Sequence, residues 1–351
     1  MMSEEKMQEN LNVFLRSSFF VPLLKRMTGQ KDELSNEGAG KYQEISREMQ
    51  RKEEKKQGQD PKAPPQEEQP PPAKTQPLTE PVEIAEEYRG TVVEEDLAAA
   101  GSSLCFGSGR IKNATSLSEQ QVEEYLAQPQ PFLLDRQGPQ VLIMHTHATE
   151  SFEPYDSEIY DTRHTWRSTD NSENIVAAGE VMAQAIRAHG IEVLHDDTQH
   201  DYPSYNGSYE RSAETVKGYL AKYPSIKVVL DVHRDAVQRD STLVKPITQI
   251  NGKKAAQMMI IAGCDDGTME MPNWGKNLRF AAGIQDAIES RWKGLTRPIF
   301  FCYRKYNQDL TTGSLLLELG SHGNTLEQVL TTAQLAGDAI GSYLAQECMA
   351  E

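Results

Sequence analysis

Three apolar runs end in residues that do chemistry. Val141–Met144 (VLIM) leads into His145, Thr146, His147, Ala148, Thr149 and Glu150. Ile226–Val232 (IKVVLDV) contains Asp231 and delivers His233, Arg234 and Asp235. Glu318 follows three leucines in LLLELG. Histidine nitrogens and one carboxylate around a metal with an open fourth position describe a hydrolytic zinc site. The metal brings the pKa of a bound water toward neutrality. A further carboxylate must then take the water's proton and hand it to the leaving group. Each piece is ambiguous alone. His-x-His at a strand end is more often structural than ligating, and on a strand both rings face the same way. A glutamate in an apolar strand is either a water-exposed end residue or a carboxylate held in a costly apolar site, poised as a base.

For these groups to meet, the runs must be neighbouring strands ending along one edge. Further strands are expected at Ile191–Leu194, Met258–Ala262, Pro298–Tyr303 and Ser314–Leu319. Asn174–His189 has helical spacing (Ile175, Ala178, Val181, Met182, Ala185, Ile186), and Gly190 stops it. Tyr209–Lys222, Asn277–Ser290 and Leu326–Leu344 read as helices, the last started by Asn324 and Thr325. The strands are continuous apolar runs that alternate with helices. That pattern predicts an α/β fold with an open, largely parallel sheet and helices on both faces. Ligands bind outside the carboxyl ends of such strands, which is where these histidines and carboxylates fall.

Of the 351 residues only 38% are hydrophobic, which points to a polar segment diluting a normal core. That segment is expected at residues 1–92, a flexible tether whose stretch KAPPQEEQPPPAKTQP is an extended, proline-rich spacer. Residues 93–351 are expected to form the catalytic domain. Leu11–Leu24 (LNVFLRSSFFVPLL) is too short and polar to span a bilayer, and reads as an amphipathic helix or a juxtamembrane remnant. The formal net charge of −16 excludes a nucleic-acid binder, which needs a basic face. The four cysteines form no CxxC pair and no disulfide framework.

VLIMHTHATESF, LDVHRDA and YNQDLTTGSLLLELGSHGNT, in this order, resemble the stage II sporulation protein P family, over about Ile111 to Leu344. Through it the chain resembles the wider zinc-dependent N-acetylmuramoyl-L-alanine amidases. The resemblance implies Zn²⁺ held by His147, His233 and a carboxylate, with Glu318 catalytic. Glu150 is the favoured carboxylate ligand; Glu173, at the start of the first long helix, is the alternative. His145 then contacts substrate or supports the ligands. Arg234 binds a stem-peptide carboxylate or polarised carbonyl, or else simply pairs with Asp235. Trp274 offers a stacking face for a sugar, and Tyr303, Tyr306 and Asn307 line the cleft. The implied activity is cleavage of the amide between N-acetylmuramic acid and L-alanine in peptidoglycan, and of stem-peptide crosslinks. The implied setting is engulfment during sporulation, on a membrane-anchored chain between the mother cell and forespore membranes. The implied partner is a lytic transglycosylase, stage II sporulation protein D. Two other readings use the same residues. One is a barrel-type metal-dependent amidohydrolase with two metals; the other is a wall-binding module without turnover.

Overall fold

Residues 83–350 are described by a computed structural model. The Leu11–Leu24 segment, the proline-rich spacer and most of the expected tether lie outside the described residues. In chain order the elements are β1 (Arg89–Glu95), β2 (Leu104–Phe106), β3 (Gly109–Asn113), α1 (Glu119–Leu126), β4 (Val141–Met144) and β5 (Ile159–Asp161). Then come α2 (Ile175–Arg187), β6 (Val193–His195), α3 (Ser208–Lys222), β7 (Val228–Asp235), β8 (Gln238–Arg239), β9 (Thr242–Ile250) and β10 (Lys253–Ala256). The chain closes with β11 (Met258–Gly263), α4 (Trp274–Arg291), β12 (Ile299–Cys302), β13 (Gly313–Ser321) and α5 (Leu326–Tyr343). The boundary expected between residues 92 and 93 falls inside β1.

The main sheet has eight strands in the order β2-β3-β12-β11-β13-β7-β4-β6. The block β3-β12-β11 is parallel, as is β13-β7-β4-β6, and the two blocks meet antiparallel at β11–β13. Their carboxyl ends therefore point to opposite edges. Alternation along β4 explains the two covered faces. Val141 and Ile143 join the large core under α2, α4 and α5, with Met182, Phe280 and Ile340. Leu142 and Met144 pack on the other face against Val216 and Tyr219 of α3. The helices lie on both faces, as the apolar runs require. Helices α2 and α5 come close because Gly337 has no side chain; a Cβ there would lie 2.8 Å from the Met182 carbonyl oxygen. Asn174 caps α2 by accepting from Val176 N, and Thr325 and Gln328 form a capping box on α5.

From β4 the chain crosses by α2 to β6, then returns by α3 to β7 on the other side of β4. This reversal opens a crevice at the carboxyl ends of β4 and β7, the usual ligand position in such sheets. A second sheet, β10-β9-β1-β5 with β8 beside β9, was not expected. Its β9–β10 hairpin turns on Asn251 (φ 52°) and Gly252 (φ 77°), both left-handed as a tight primed turn demands.

Candidate active site

β4 ends at Met144 and the chain turns through His145–Thr149. The turn is fixed from both sides. Thr146 donates its N–H and hydroxyl to the Asp231 carboxylate of β7 at 2.8 and 2.7 Å. Thr149 donates its hydroxyl to Asp201 at 2.6 Å. Held this way, His147 leaves the strand and faces the start of α3. Its ring stacks on Tyr205, with centroids 4.6 Å apart and planes 10° apart, and meets Tyr209 edge-on at 5.4 Å. Its Nε2 is 3.2 Å from the Tyr205 hydroxyl and its Nδ1 3.4 Å from Ser208 Oγ. Its ring also meets that of His233 edge-on, 5.3 Å away.

On β7, Asp231 and His233 are two residues apart and share a face. The parallel register pairs His233 with Glu318 of β13, so the two side chains stand side by side. His233 Nδ1 is 3.5 Å from Glu150 Oε2. Its Nε2 is 2.7 Å from Asp231 Oδ1 but out of line, and makes no hydrogen bond. Glu318 is half-buried, and its Oε2 is a buried atom with no hydrogen-bond partner. These charges set one another. Burial pushes Glu150 up, but Arg234, His233 and His147 outweigh it and hold the carboxyl well below the usual range. Burial pushes His233 down, but Asp231 and Glu150 outweigh it, so the ring is held protonated. Burial and then the charge of Asp235 push Glu318 up to about 8. His147 is pushed down to about 4, chiefly by burial.

Four of the groups singled out from sequence are thus brought together: His147, Glu150, His233 and Glu318. Glu173 is not; its carboxylate accepts from Ser168 Oγ at 3.3 Å. His145 turns to the opposite face. Its Nδ1 donates to the Val232 carbonyl at 2.8 Å and its Nε2 meets His195 Nε2 at 2.9 Å. Burial pushes it down to about 3. The expected shared face fails because the strand ends at Met144, before the two histidines. Arg234 is buried and engaged with protein atoms. Its Nε donates to the Ser151 carbonyl (3.1 Å), its Nη2 to that of Trp166 (3.2 Å), and its backbone N–H to Glu150 Oε2 (3.1 Å). The alternative pairing with Asp235 is not formed; Asp235 pairs with Arg297 at 2.9 Å. His145 has no polar group turned to the crevice, whereas Arg234 Nη1 stands 3.8 Å from Glu150 Oε1. Arg234 fixes the segment that carries Glu150.

Other residues of the site were not foreseen. Asp231 sits in the motif LDVHRDA, yet its contact with His233 depends on which face it shares. Tyr205 lies 58 residues from His147 in sequence, in the loop before α3, and no spacing points to it. Tyr306 stacks on Tyr209 at 5.3 Å, and Asn307 donates to the Tyr209 carbonyl at 2.9 Å, so this loop does wall the crevice. Tyr303 is elsewhere, bonded to Ser116. Trp274 packs on Tyr125 (4.3 Å) and Phe301 (5.7 Å), at the edge where β3, β11 and β12 end, opposite the crevice.

Among the described residues no group of three or more His, Cys, Asp or Glu side chains is converged on a point that could hold a metal ion. The donor chemistry nonetheless suits one. Two imidazoles and a carboxylate are adjacent, and one His233 nitrogen is buried without a hydrogen bond. Asp231 and Glu150 draw positive charge to this spot, supplied here by the proton on His233. A divalent cation answers the same field.

A parallel α/β edge that gathers titrating groups at its switch point is a ligand site of the kind such sheets carry. Within that class, this chain belongs to the stage II sporulation protein P (SpoIIP) family, whose family model matches residues 10–341. The match begins well before Ile111, so it takes in most of the segment expected to lie outside it. Stage II sporulation protein P of Bacillus subtilis (strain 168) is 28% identical over 244 residues, 65% of this chain and 57% of that protein. The chain thus spans little more than half of that curated relative. Among solved structures, N-acetylmuramyl-L-alanine amidase Ami1 of Mycobacterium abscessus is 13% identical, covering 58% of this chain and 98% of its own, with a TM-score of 0.33. The CwlD amidase of Clostridioides difficile, in complex with the GerS lipoprotein, is 11% identical, covering 59% and 94%, with a TM-score of 0.34. No helix of the described residues is long and apolar enough to cross a membrane.

Proposed function

We propose that this chain is a zinc-dependent peptidoglycan hydrolase that cleaves the amide between N-acetylmuramic acid and L-alanine of the stem peptide. The observation that carries the reading is the pairing of Glu318, with its partnerless Oε2, beside His233, Glu150 and His147 at the switch point of the sheet. A buried carboxylate oxygen without a hydrogen-bond partner carries a desolvation cost that calls for a reason, and proton exchange is one. His147, Glu150 and His233 would hold the zinc, which when bound supplies the Lewis acid that polarises the carbonyl and acidifies water. Glu318 takes a proton from the attacking water as the water oxygen bonds to the carbonyl carbon. It returns that proton to the alanine nitrogen as the C–N bond breaks, leaving a carboxylic acid and a free amino terminus. A carboxyl raised to about 8 by burial is suited to this exchange, because a proton carrier works best with a pKa near the working pH. The Arg234 backbone N–H holds Glu150, and the Asp231 carboxylate faces His233 Nε2 at 2.7 Å.

Membership of the sporulation family supports the setting. We place the activity in engulfment, on the wall between the mother cell and forespore membranes, with the native chain anchored to a membrane. The same site cleaves stem-peptide crosslinks, and stage II sporulation protein D, a lytic transglycosylase, acts on the stripped glycan. The test is digestion of purified peptidoglycan with mass spectrometry of the products. Stem peptides with a free L-alanine terminus are expected. Products that keep muramic acid on the peptide would place the cleaved bond elsewhere.

A further inference from the structure

Tyr205 takes no part in the reaction just described, yet it is the side chain laid flat against His147. Its residue is 49% exposed, while its hydroxyl stands 3.2 Å from His147 Nε2. The near-parallel stack (4.6 Å, 10°) puts that hydroxyl alongside the imidazole face. The hydroxyl is hydrogen-bonded to that nitrogen, and a cation held by the nitrogen would leave the O–H free to turn to another acceptor. The guanidinium of Arg167 lies 5.4 Å from the Tyr205 ring centroid. Arg167 is itself anchored to buried Asp201 at 2.8 Å. Asp201 also fixes Thr149, in the turn that carries His147. The phenol is thus attached to the same framework as the proposed ligand.

Its place in the crevice matters as much as its anchoring. The groups run in the order Glu318, His233, His147 and Tyr205, from β13 across β7 to the loop before α3. The proton carrier is at one end and a neutral hydroxyl at the other. Amide hydrolysis needs this division. The base must reach the water that attacks the carbonyl carbon, and a donor must face the oxygen that takes up the displaced electron pair.

We propose that Tyr205 is a catalytic residue whose hydroxyl donates a hydrogen bond to the carbonyl oxygen of the scissile amide. The inference rests on the amide-hydrolase reading of the site. In the step concerned, the water oxygen bonds to the carbonyl carbon and one water proton passes to Glu318. The carbonyl π pair moves onto oxygen, where the phenol O–H meets it without giving up its proton. Collapse restores the C=O bond, breaks the C–N bond and returns the proton from Glu318 to nitrogen.

The test is Tyr205→Phe in the full chain, which keeps the ring and its stack and removes only the hydroxyl. Zinc content and zinc affinity should match wild type. Stem-peptide release should fall by ~10²–10³ in kcat, the usual loss for one oxyanion donor, with KM nearly unchanged. A phosphinate with tetrahedral phosphorus in place of the scissile carbon should bind the variant weaker by a similar factor, while the intact substrate binds equally. Tyr202→Phe, at an exposed tyrosine in the same loop, should leave kcat unchanged. Wild-type kcat in Tyr205→Phe, or weaker binding of intact substrate and phosphinate alike, would overturn the inference. A wild-type chain that releases no peptide would instead overturn the functional reading on which it rests.

Discussion

Two clusters of charge among the described residues, one at the edge of the second sheet and one at the crevice, are finished differently. In the second sheet, Lys245 is buried but answered by Glu94 at 3.0 Å and by Asp156, with Lys254 bonded to the same two carboxylates. The lysines hold both carboxyls below their ordinary values, and both stay in reach of water. At the crevice, Glu318 Oε2 is buried without a hydrogen bond, as is Arg297 Nη1 close by, and His233 Nε2 meets Asp231 at 2.7 Å but out of line. There one carboxyl is driven up while its neighbour Glu150 is driven down. A charge network that only holds a fold can satisfy all its members. One that must exchange protons or take up a ligand keeps members unsatisfied and tolerates the cost.

The contrast can be broken by substitution. Glu318→Gln should lower stem-peptide release by ~10²–10⁴, the range for a lost proton carrier, with zinc content unchanged. A loss below about tenfold would leave Glu318 as a structural residue. Arg234→Met should cost about 3–5 kcal/mol in urea unfolding, because Glu150 loses the guanidinium 3.8 Å away and two carbonyls lose a buried donor. Stability within about 1 kcal/mol of wild type would show that Glu150 is not held by this arginine. Lys245→Met should cost no more than ~1 kcal/mol by the same measurement, since its carboxylates can return to water and keep Lys254. A larger loss would erase the distinction between the clusters.

The smallest effect is one of pH. Burial raises Glu153 from 4.5 to about 7, although Trp166 Nε1 donates to it. Between those values the folded chain holds a proton that the unfolded chain releases, so stability falls as pH rises through the window. Glu153→Gln should raise Tm by ~2–4 °C well above the window, the shift expected for roughly 1 kcal/mol, and leave it unchanged below the window. An equal gain on both sides would mean that the effect is packing rather than charge.

The main sheet was legible because β4, β7, β11 and β13 are continuous apolar runs, buried almost throughout. The second sheet was not. β1 reads RGTVVEE with one face wet, and β5 and β8 are very short. Only the Asn251–Gly252 pair advertised the β9–β10 hairpin. Helix α1 had a signal too, in the Ser118–Gln121 capping box. For the site, motif chemistry picked out the groups that cluster. It could not assign faces beyond the end of a strand, and so placed His145 with His147. It also could not show that Arg234 binds backbone carbonyls, or that Tyr205 returns from a distant loop. Those facts are tertiary, and residue type does not encode them.

We propose that His147, Glu150 and His233 hold one catalytic zinc beside Glu318. The most direct test is zinc content by elemental analysis, with stem-peptide release from purified peptidoglycan, for wild type and His233→Ala. One zinc per chain with peptide release in wild type, and loss of both in the variant, is the expected result. Metal-free wild-type protein that cleaves at full rate, or a zinc-loaded variant that still cleaves, would contradict it.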